Sequence, residues 1–556
     1  MEVGRLRSLG FAREVTAGTL VTPPTEFVRF IPPDSFYPKI TPLVAKGIGV
    51  LPDVNIKQTP GPATLDGMKM KIEVEAENIG HILDALFGLD TPAEVASFVV
   101  TAHTVFTVTL NTNDWIDFTE DSDPIVHAQI AAGTYTVNEL CAAIKLAMEA
   151  VNGSSTYSVT FSTTTKKFTI TKSTGVFVIN WATGTNTLIS AHTLIGYAAT
   201  DTSSAITHVS TSAVTFAAAN DAIPFTEDAG SEVTAYLTAG TYKMGADSSV
   251  TGSLCKLIKD QMESANGTSK TYTVTYSTST KKLTLTTNTG VFVLRWTTGV
   301  NANISAMSLL GFSANSASAI AATSDSTTSV PPFSHTYVRQ AVTQLPTYSF
   351  WLDKKPAYFE IAGCMLGKAD IELKAKELVT MDTEWSGLAF DDAGTTQSPT
   401  YSSVRPFAFH QATVTVDGSP VLGYDNLKIS INNMVKADHA ISGSQYPAKI
   451  YSEGMDVELS ADLFFEDVTQ YAKFIAGTTA SFVITITSGD DISSAASGQK
   501  YSLVLNMPEV VYKQANLPTP TGVLKCTFAG HVMYDTSTSK TINAILTNGV
   551  PTTYSA

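Results

Sequence analysis

The sequence is poor in charged residues, in cysteine and in long apolar runs. Charged residues make up 15% of the 556 residues and hydrophobic residues 44%, whereas disordered chains combine high charge with low hydrophobicity. At about 150 residues per domain, a chain of this length can bury several cores. No apolar run reaches the roughly 18 residues that a membrane-spanning helix needs, and residues 1–7 lack the apolar core of a secretory signal. We therefore expect a folded protein without a membrane anchor, made in a cytoplasm.

The sequence also lacks the motifs that carry chemistry. Its four cysteines are scattered, without the paired spacing of zinc ribbons or disulfide scaffolds. The nine histidines form no metal-binding helix motif, and there is no nucleophile elbow, phosphate-binding loop or dinucleotide fingerprint. We therefore predict a protein that is not an enzyme, with no catalytic residue, metal or cofactor, and buried apolar roles for the cysteines.

The charge balance is acidic, with 50 acidic and 35 basic residues and a net charge of −15. A protein that grips nucleic acid needs clustered Lys and Arg to contact phosphates. The balance argues against such a protein. It is compatible with a surface past which nucleic acid slides, because an acidic surface repels phosphate.

The clearest positive feature is an internal repeat in the middle of the chain. Residues 132–135 (AGTY) recur as residues 239–242, and residues 174–178 (TGVFV) recur as residues 289–293. Repeats of this kind decide architecture, because each copy is one structural unit. We predict two tandem domains, at residues 96–212 and 213–328.

Each copy has a readable order of elements. Apolar residues at helical spacing predict an amphipathic helix over residues 137–151, and Asn152-Gly153 predicts a left-handed end to it. Alternating apolar residues predict strands around residues 157–161, 168–170 and 177–181. Each copy is therefore expected to be a small α+β domain.

A second, fainter repeat brackets the first. Residues 68–75 alternate between apolar and polar, then a helix with Ile79 and Leu83 on one side ends at Gly88. The same order returns as an alternating strand at residues 455–459 and a helix over 465–475 that ends before Gly477. Further strands are predicted at residues 348–352, 357–361, 369–379, 481–487, 501–507 and 523–528.

This second repeat indicates a duplicated β-rich domain whose first copy is interrupted. Insertion is tolerated where chain ends lie close together at a surface loop. The insert is expected to leave near residue 91 and return near residue 332, so that residues 1–95 and 329–396 form domain 1 and residues 397–556 form domain 2. The predicted fold class is mainly β with α+β. It comprises two tandem β-sandwich or barrel domains, each with a flanking helix, the first interrupted by two tandem α+β repeat domains.

Four acidic residues stand out on the predicted strands of this second repeat. Glu73 and Glu75 lie on one predicted strand and Asp456 and Glu458 on the other, on what the alternation predicts to be equivalent polar faces. An ordinary solvated strand face explains them, and so does an acidic surface selected for function. Both interpretations stay open from the residues alone.

The flanking segments resemble the tail tube (major tail) protein of a long-tailed, non-contractile bacteriophage. The resemblance rests on residues 10–19 (GFAREVTAGT), a proline-rich stretch with Phe30-Ile31-Pro32, the unit ending in Ile475-Ala476-Gly477, residues 508–512 (PEVVY), and the run from 523 to His531-Val532-Met533-Tyr534-Asp535. The flanking segments that carry these motifs cover about 300 residues of the chain.

The resemblance implies a β-sandwich or barrel with one flanking helix, whose rings stack into a hollow tube that carries the genome. Six barrels per ring are usual, so two barrels per chain imply a trimeric, pseudo-hexameric ring. Implied partners are the tape measure, tail tip and terminator proteins, with viral DNA passing through without specific binding. The implied location is the virion, after assembly in the host cytoplasm. Glu73, Glu75, Asp456 and Glu458 become candidates for lining the lumen, and the inserted repeats would decorate the outside.

A rival hypothesis is a surface adhesin whose repeats bind a host glycan. Trp181 and Trp296 occupy matching positions in the two copies, and exposed aromatic side chains there could stack on sugars. A structural core also accounts for both tryptophans. Electron microscopy separates the hypotheses, because stacked rings are expected of a tube protein and discrete particles of an adhesin.

Overall fold

The structure is a computed structural model that describes residues 8–32, 35–44, 58–121, 123–217, 219–267, 270–278, 280–325, 331–339, 344–354, 357–392, 394–465, 468–492, 499–517 and 524–555. Contacts divide the chain into two units. Unit 1 is Met1–Val95, Pro332–Ser494 and Gly498–Ala556, and unit 2 is Ala96–Pro331 with Ala495–Ser497. The predicted boundary at 328/329 and the predicted strand start at residue 523 lie outside the described residues.

The first segment of unit 1 contains one helix, α1 (Ile79–Phe87), and a series of mostly short strands. The strands are β1 (Ser8–Arg13), β2 (Glu26–Val28), β3 (Phe30–Ile31), β4 (Lys39–Ile40), β5 (Leu43–Val44), β6 (Gln58–Thr59), β7 (Ala63–Thr64), β8 (Met68–Glu73) and β9 (Asp90–Glu94). As predicted, α1 ends at Gly88, whose φ of +83° is left-handed and whose amide donates to the Asp84 carbonyl.

Unit 2 holds the helices α2 (Val137–Val151) and α3 (Leu254–Ala265) and short 3-10 helices at Thr187–Ile189 and Ala302–Ile304. Its strands are β10 (Phe98–Val100), β11 (Phe106–Val108), β12 (Trp115–Glu120), β13 (Val126–Gln129), β14 (Gly133–Tyr135), β15 (Tyr157–Ser162), β16 (Lys167–Lys172), β17 (Phe177–Ile179), β18 (Thr207–Val209), β19 (Ala222–Glu227), β20 (Val233–Tyr236), β21 (Gly240–Tyr242), β22 (Tyr272–Ser277), β23 (Lys282–Thr287), β24 (Phe292–Leu294) and β25 (Ala321–Thr323).

The chain then returns to unit 1, with helix α4 (Thr469–Ala476) and a 3-10 helix at Phe409–Gln411. The strands are β26 (Phe333–Val338), β27 (Tyr348–Asp353), β28 (Tyr358–Lys374), β29 (Thr380–Ser386), β30 (Ala389–Asp391), β31 (Ala412–Val416), β32 (Ser419–Pro420), β33 (Tyr424–Asn432), β34 (Val435–Asp438), β35 (Lys449–Ser452), β36 (Asp456–Phe464), β37 (Thr479–Asp491), β38 (Lys500–Asn516), β39 (Lys525–Val532) and β40 (Asn543–Asn548). Strands dominate, which confirms the mainly β prediction.

Two boundaries in this part differ from the predictions. The two strands predicted at residues 357–361 and 369–379 are parts of one continuous 17-residue strand, β28, because its pairing with β29 continues through a bulge. β28 ends at Lys374, so the last five residues of the second predicted strand lie beyond it. The second helix begins at Thr469 rather than at 465, because β36 extends to Phe464. Within the described residues no helix is long and apolar enough to cross a membrane.

Unit 1 contains the same arrangement of strands twice. In the first half (β1–β9 and β26–β30), β1 pairs with β2 and β27, β28 with β27, β29 and β30, and β8 with β3 and β29. In the second half (β31–β40), β31 pairs with β32 and β37, β38 with β37, β39 and β40, and β36 with β33 and β39. The long strands β28 and β38 each have 17 residues.

The two halves join through two further pairings, β26 with β40 and β28 with β33. Strand β28 of the first half pairs with β33 of the second, from Lys368↔Asn432 to Lys374↔Asn426. The result is a continuous antiparallel run of eight strands in the order β3-β8-β29-β28-β33-β36-β39-β38, called here the eight-stranded sheet. The remaining strands of both halves and one face of this sheet enclose a single hydrophobic cluster that runs from Leu9 to Tyr554.

In unit 2 each copy has its own core, helix and two three-stranded sheets. Helix α2 spans the predicted residues, and Thr136 and Glu139 form a reciprocal capping box at its start. The predicted left-handed end is wrong in the first copy, where Asn152 has φ −137°, whereas Gly267 in the second copy has φ +65°.

The two copies are more entangled than a tandem division at 212/213 implies. Strand β10 lies in the range predicted for the first copy, yet it pairs with β21, and Phe98 and Val100 pack in the core of the second copy. In addition, Tyr236 of the second copy donates a hydrogen bond of 2.8 Å to Glu139 of the first. The second copy therefore includes residues from both ends of unit 2.

Candidate functional site

The eight-stranded sheet has one apolar and one polar face. In β8, Met68, Met70 and Ile72 are buried, whereas Lys69 is exposed and Lys71 and Glu73 are half-buried. The same alternation continues through β29, β28, β33 and β36. This side of the sheet, called here the polar face, spans five neighbouring strands and is the candidate functional site.

Three of the four acidic residues singled out from the sequence lie on the polar face, and the fourth does not. Glu73, Asp456 and Glu458 belong to β8 and β36 and point to this side. Glu75 lies beyond the end of β8, is 4% exposed, and bonds to Arg29 at 3.0 Å. Burial raises the pKa of Glu75 above its usual value, and the hydrogen bond from Arg29 offsets part of that rise. A solvent-facing role for Glu75 is therefore excluded in this conformation.

The acidic residues are also not at equivalent positions in the two halves. Counting back from the helix-ending residues Gly88 and Gly477, and following the pairing with β29 and β39, Lys69 corresponds to Glu458 and Glu73 to Asp462. The predicted equivalence of Glu73 with the Asp456 and Glu458 pair is wrong. The methionines Met68 and Met455, which suggested it, are two positions out of register.

The polar face carries charges of both signs. Among the described residues, the charged side chains on its strands include nine carboxylates and seven lysines: Glu73, Asp370, Glu372, Asp382, Glu384, Asp425, Asp456, Glu458 and Asp462, and Lys69, Lys71, Lys368, Lys374, Lys428, Lys513 and Lys525. The surface is thus only mildly acidic.

Every one of these seven lysines has a carboxylate of the same chain within 4 Å. The distances from Nζ to the nearest carboxylate oxygen are as follows: Lys69–Glu384 3.5 Å, Lys71–Asp382 3.3 Å, Lys368–Asp370 3.2 Å, Lys374–Glu377 2.8 Å, Lys428–Asp370 3.0 Å, Lys513–Glu458 3.1 Å and Lys525–Asp425 2.6 Å. Exposed pairs of this kind add little stability. Their consequence here is electrostatic, because a lysine already paired offers a passing phosphate much less than a free one.

Asp370 is the centre of this pattern. It accepts from Lys368 and from Lys428, so it joins β28 of the first half to β33 of the second. Burial would raise the pKa of Asp370, but hydrogen bonds from Ser430, Lys428 and Lys368 outweigh it and hold the pKa below its usual value. Asp370 therefore stays ionised where the two halves meet.

One group on the polar face has the composition of a cation site. Asp456, Glu458 and His531 bring potential ligand atoms within 4.8 Å of one another, the one such group among the described residues. Two internal contacts already occupy them, since His531 lies 3.2 Å from Asp456 and Lys513 lies 3.1 Å from Glu458. The arrangement is that of an ion-pair cluster, and we assign no metal to it.

Most residues of the polar face were not identified by the sequence analysis. Asp382 and Glu384 lie on β29 and Asp370 and Glu372 on β28, which pair next to β8. The alternation of residues 380–386 (TMDTEWS) was a readable signal for such a strand. The pairing of this strand with β8 could not be predicted, because β8 and β29 are about 310 residues apart in the chain.

The two tryptophans of the rival hypothesis are buried. Trp181 and Trp296 are each 1% exposed and pack in the cores of the first and second copies. The expectation that they are exposed, available to a sugar, is therefore wrong. The repeat conserves them between its copies because each copy needs a large side chain at the same core position.

The sequence was compared with protein-family models and with curated proteins. A family model described as phage tail tube protein matches residues 4–523. The curated proteins gave no match.

Proposed function

This chain belongs to the phage tail tube protein family, and from that premise we propose that it is the subunit that self-assembles into the stacked rings of a long-tailed, non-contractile phage tail. Membership makes it a structural component of the virion rather than a member of an enzyme family. In the proposal the genome passes through the tube during delivery, and assembly takes place in the host cytoplasm. The tape measure, tail tip and terminator proteins are its partners.

The observation that carries the ring proposal is the duplication inside the eight-stranded sheet. Each half contributes four strands in the same order, and the two halves are joined by the β28–β33 pairing. A chain with two such units supplies two of the six places in a pseudo-sixfold ring, so three chains complete it. Three chains would together contribute 24 strands, eight from each chain, in the order of the eight-stranded sheet.

We assign the polar face to the lumen. DNA that must move needs a wall without free cations, because many weak phosphate contacts would sum to an immobile genome. The polar face fits this requirement through its paired lysines and its excess of carboxylates. Glu73, Asp456 and Glu458 remain lumen candidates, and Glu75 is withdrawn from that set.

Ring formation is tested directly on the purified protein. Negative-stain electron microscopy should show stacked rings, and native mass spectrometry of disassembled tubes should give a ring mass of three chains. Six chains per ring would contradict the trimeric arrangement while leaving the tube. Discrete particles without rings would contradict the tube itself and favour the adhesin.

We further propose that the inserted repeats decorate the outer surface and are dispensable for the tube. Support comes from where the insert leaves and returns: β9 and β26 pair antiparallel, with Glu94 opposite Phe333, and the Val95 amide donates to the Pro332 carbonyl at 2.8 Å. The two chain ends are therefore neighbours, and a short linker can join them without strain.

Replacing residues 96–331 with a short Gly/Ser linker should leave tube formation unchanged. The measurement is the yield and length of tubes in electron micrographs, beside those of the full chain. A matched control inserts the same linker between residues 95 and 96 without any deletion. If the deletion variant is soluble but forms no rings while the control forms them, the insert is needed for assembly.

A further inference from the structure

A groove lies between helix α2 and strand β15 in the first copy of unit 2. Its volume is about 530 Å³, and it is lined by one side of α2, which includes Cys141 and Ala142, and by residues 157–161 of β15. Strand β15 is the outer strand of its three-stranded sheet, because it pairs with β16 on one side and with no strand of the described residues on the other. The groove therefore runs along an open strand edge.

The backbone groups of this edge point into the groove. Phe168 of β16 accepts from the Ser210 amide at 2.8 Å and donates to the Ser210 hydroxyl at 3.2 Å, so its backbone groups face away from Phe161, which lies opposite it on β15. Phe161 in turn faces away from β16, and so does Val159, because every second residue of a strand presents its amide and carbonyl to the same side. No hydrogen bond to these groups of Val159 and Phe161 is seen among the described residues.

The second copy has a longer loop at this place. Residues 243–253 stand where the first copy has only residues 136–139, between the matched AGTY sequence and the matched Leu-Cys pair of the helix. The longer loop runs along β22, which matches β15 in its sequence and in the register of its pairing. The two copies therefore differ at this edge by the presence of a covering segment.

The covering segment is bound as an added strand. The Ser248 amide donates to the Val274 carbonyl, and the Tyr276 amide donates to the Ala246 carbonyl, both at 2.8 Å. Asp247, between the two bonds, forms an antiparallel bridge with β22. This pattern is the one by which extended peptides add to an exposed sheet edge.

The side chains show what the missing cover changes in the first copy. Val274 is fully buried and Tyr276 is 7% exposed in the second copy. The matching residues of the first copy, Val159 and Phe161, are only half-buried. The first copy thus presents an uncovered version of an edge that the second copy covers with its own chain.

The wall of the groove holds a matching donor. In the second copy the Cys255 thiol donates to the Gly245 carbonyl of the covering segment at 3.4 Å. Cys141 is the corresponding residue of the first copy, and burial raises the pKa of its thiol to about 12, so it keeps its proton. A carbonyl placed as that of Gly245 would find the same donor there.

The covering segment also shows the chemistry of a fitting occupant. Met244, just before it, packs in the core of the second copy, and Val137, at the same distance after the matched tyrosine, packs in the core of the first. An occupant of the groove therefore needs no large anchor, in keeping with the small residues 245–249 (GADSS). Proline is excluded at the place of Ser248, whose amide donates to the strand. Lys145 lines the groove with a half-exposed side chain and favours an acidic residue in the occupant.

We propose that the groove between α2 and β15 binds an extended segment of a partner protein, which adds to the edge of β15 as residues 245–249 add to β22. The segment consists of small and hydroxyl-bearing residues with an acidic one among them. The first copy is then a docking module for a linear segment, and the second copy is the same module occupied by its own loop. This role goes beyond the tube, and it depends neither on the ring nor on the lumen.

A synthetic peptide with the sequence of residues 245–251 (GADSSVT) is the probe, added to the full chain. At about 1 mM it should slow the amide hydrogen exchange of residues 157–162 by about tenfold, as expected for a dissociation constant of about 0.1 mM. Residues 272–277, whose edge is already covered, should be unchanged. The same peptide with Ser248→Pro should have no effect, because it lacks the amide that reaches the strand. Quenched-flow exchange with mass spectrometry measures both segments in one sample.

Two variants of α2 locate the bound peptide. Ala142→Trp, at an exposed residue that lines the groove, should fill it and abolish the protection. Leu146→Trp, one turn further along α2 at a 71% exposed residue, is the matched control and should bind the peptide normally.

Three results would overturn the proposal. The first is no protection of residues 157–162 in the unchanged protein, and the second is undiminished protection in Ala142→Trp, which would place the peptide elsewhere. The third is protection that rises with protein concentration in the absence of peptide, which would make a second copy of this chain the occupant. Tube formation, scored on the same preparations, is independent of all three, so the ring proposal stands or fails separately.

Discussion

Changing Glu73, Asp456 and Glu458 together to lysine should leave tubes intact and cut DNA delivery by at least about tenfold, because phosphate contacts add up along the tube. Each chain changes by six charge units, and Lys513 loses its partner Glu458. The mildly acidic polar face becomes basic and gains lysines that no carboxylate neutralises. The measurement is the fraction of particles that release their genome, taken beside tube yield.

Two matched variants make this result interpretable. Neutral replacements, Glu73→Gln with Asp456→Asn and Glu458→Gln, should have a much smaller effect, because they remove charge without adding cations. Lysine at Asp123, Asp260 and Asp325, which are exposed residues of unit 2, changes the net charge equally and should not impair delivery. Added salt should partly restore delivery, since phosphate contacts weaken with salt. Unimpaired delivery through normal tubes would remove these residues from the lumen, and lost assembly would place them at an interface.

Replacing Glu14 with alanine should lower the free energy of unfolding of unit 1 by about 3–5 kcal/mol, because each orphaned buried donor costs about 1–3 kcal/mol. The Glu14 carboxylate is buried and accepts four hydrogen bonds, from the Gly18 and Gly363 amides at 2.8 Å and from the Thr347 and Ser349 hydroxyls at 2.7 Å. It ties the end of β1 to β27 and β28. Urea denaturation followed by tryptophan fluorescence measures the change.

The glutamine variant at the same position is the sharper control. Glu14→Gln keeps the shape and two acceptor contacts but turns an amide toward two donors, so we expect about half of the alanine effect. Glu377→Ala removes an exposed glutamate paired with Lys374 and should change the unfolding free energy little. A small effect of Glu14→Ala would show that water satisfies the four donors in its place.

Local elements of this protein could be predicted because their signals are local. Helix α1 and its end at Gly88 follow from apolar residues at helical spacing and a left-handed glycine. Helix α2 follows equally, with Thr136 and Glu139 closing its start. The strands around Met70, Val159 and Ile484 follow from alternation alone. The family resemblance on the flanking segments also came from short stretches of sequence.

The candidate site was only partly predictable, because its neighbours are far apart in the chain. Glu73 and Glu458 were found on alternating strands, but the lysine that pairs with Glu458 lies on β38, 55 residues away. Glu75 was misplaced because alternation continues past the point where β8 ends, and Arg29, which donates a hydrogen bond to it, is 46 residues earlier.

The sequence by itself determined the helices, most strands, the repeats and the mainly β class, since each depends on contacts between residues a few positions apart. The tertiary structure alone decided how those elements meet. It joined β28 to β33 into one sheet, placed β10 in the core of the second copy, and buried Trp181 and Trp296. Strand partners and register depend on side-chain packing across whole faces, and a shift of one residue turns every side chain to the other side. No short stretch of sequence carries that information.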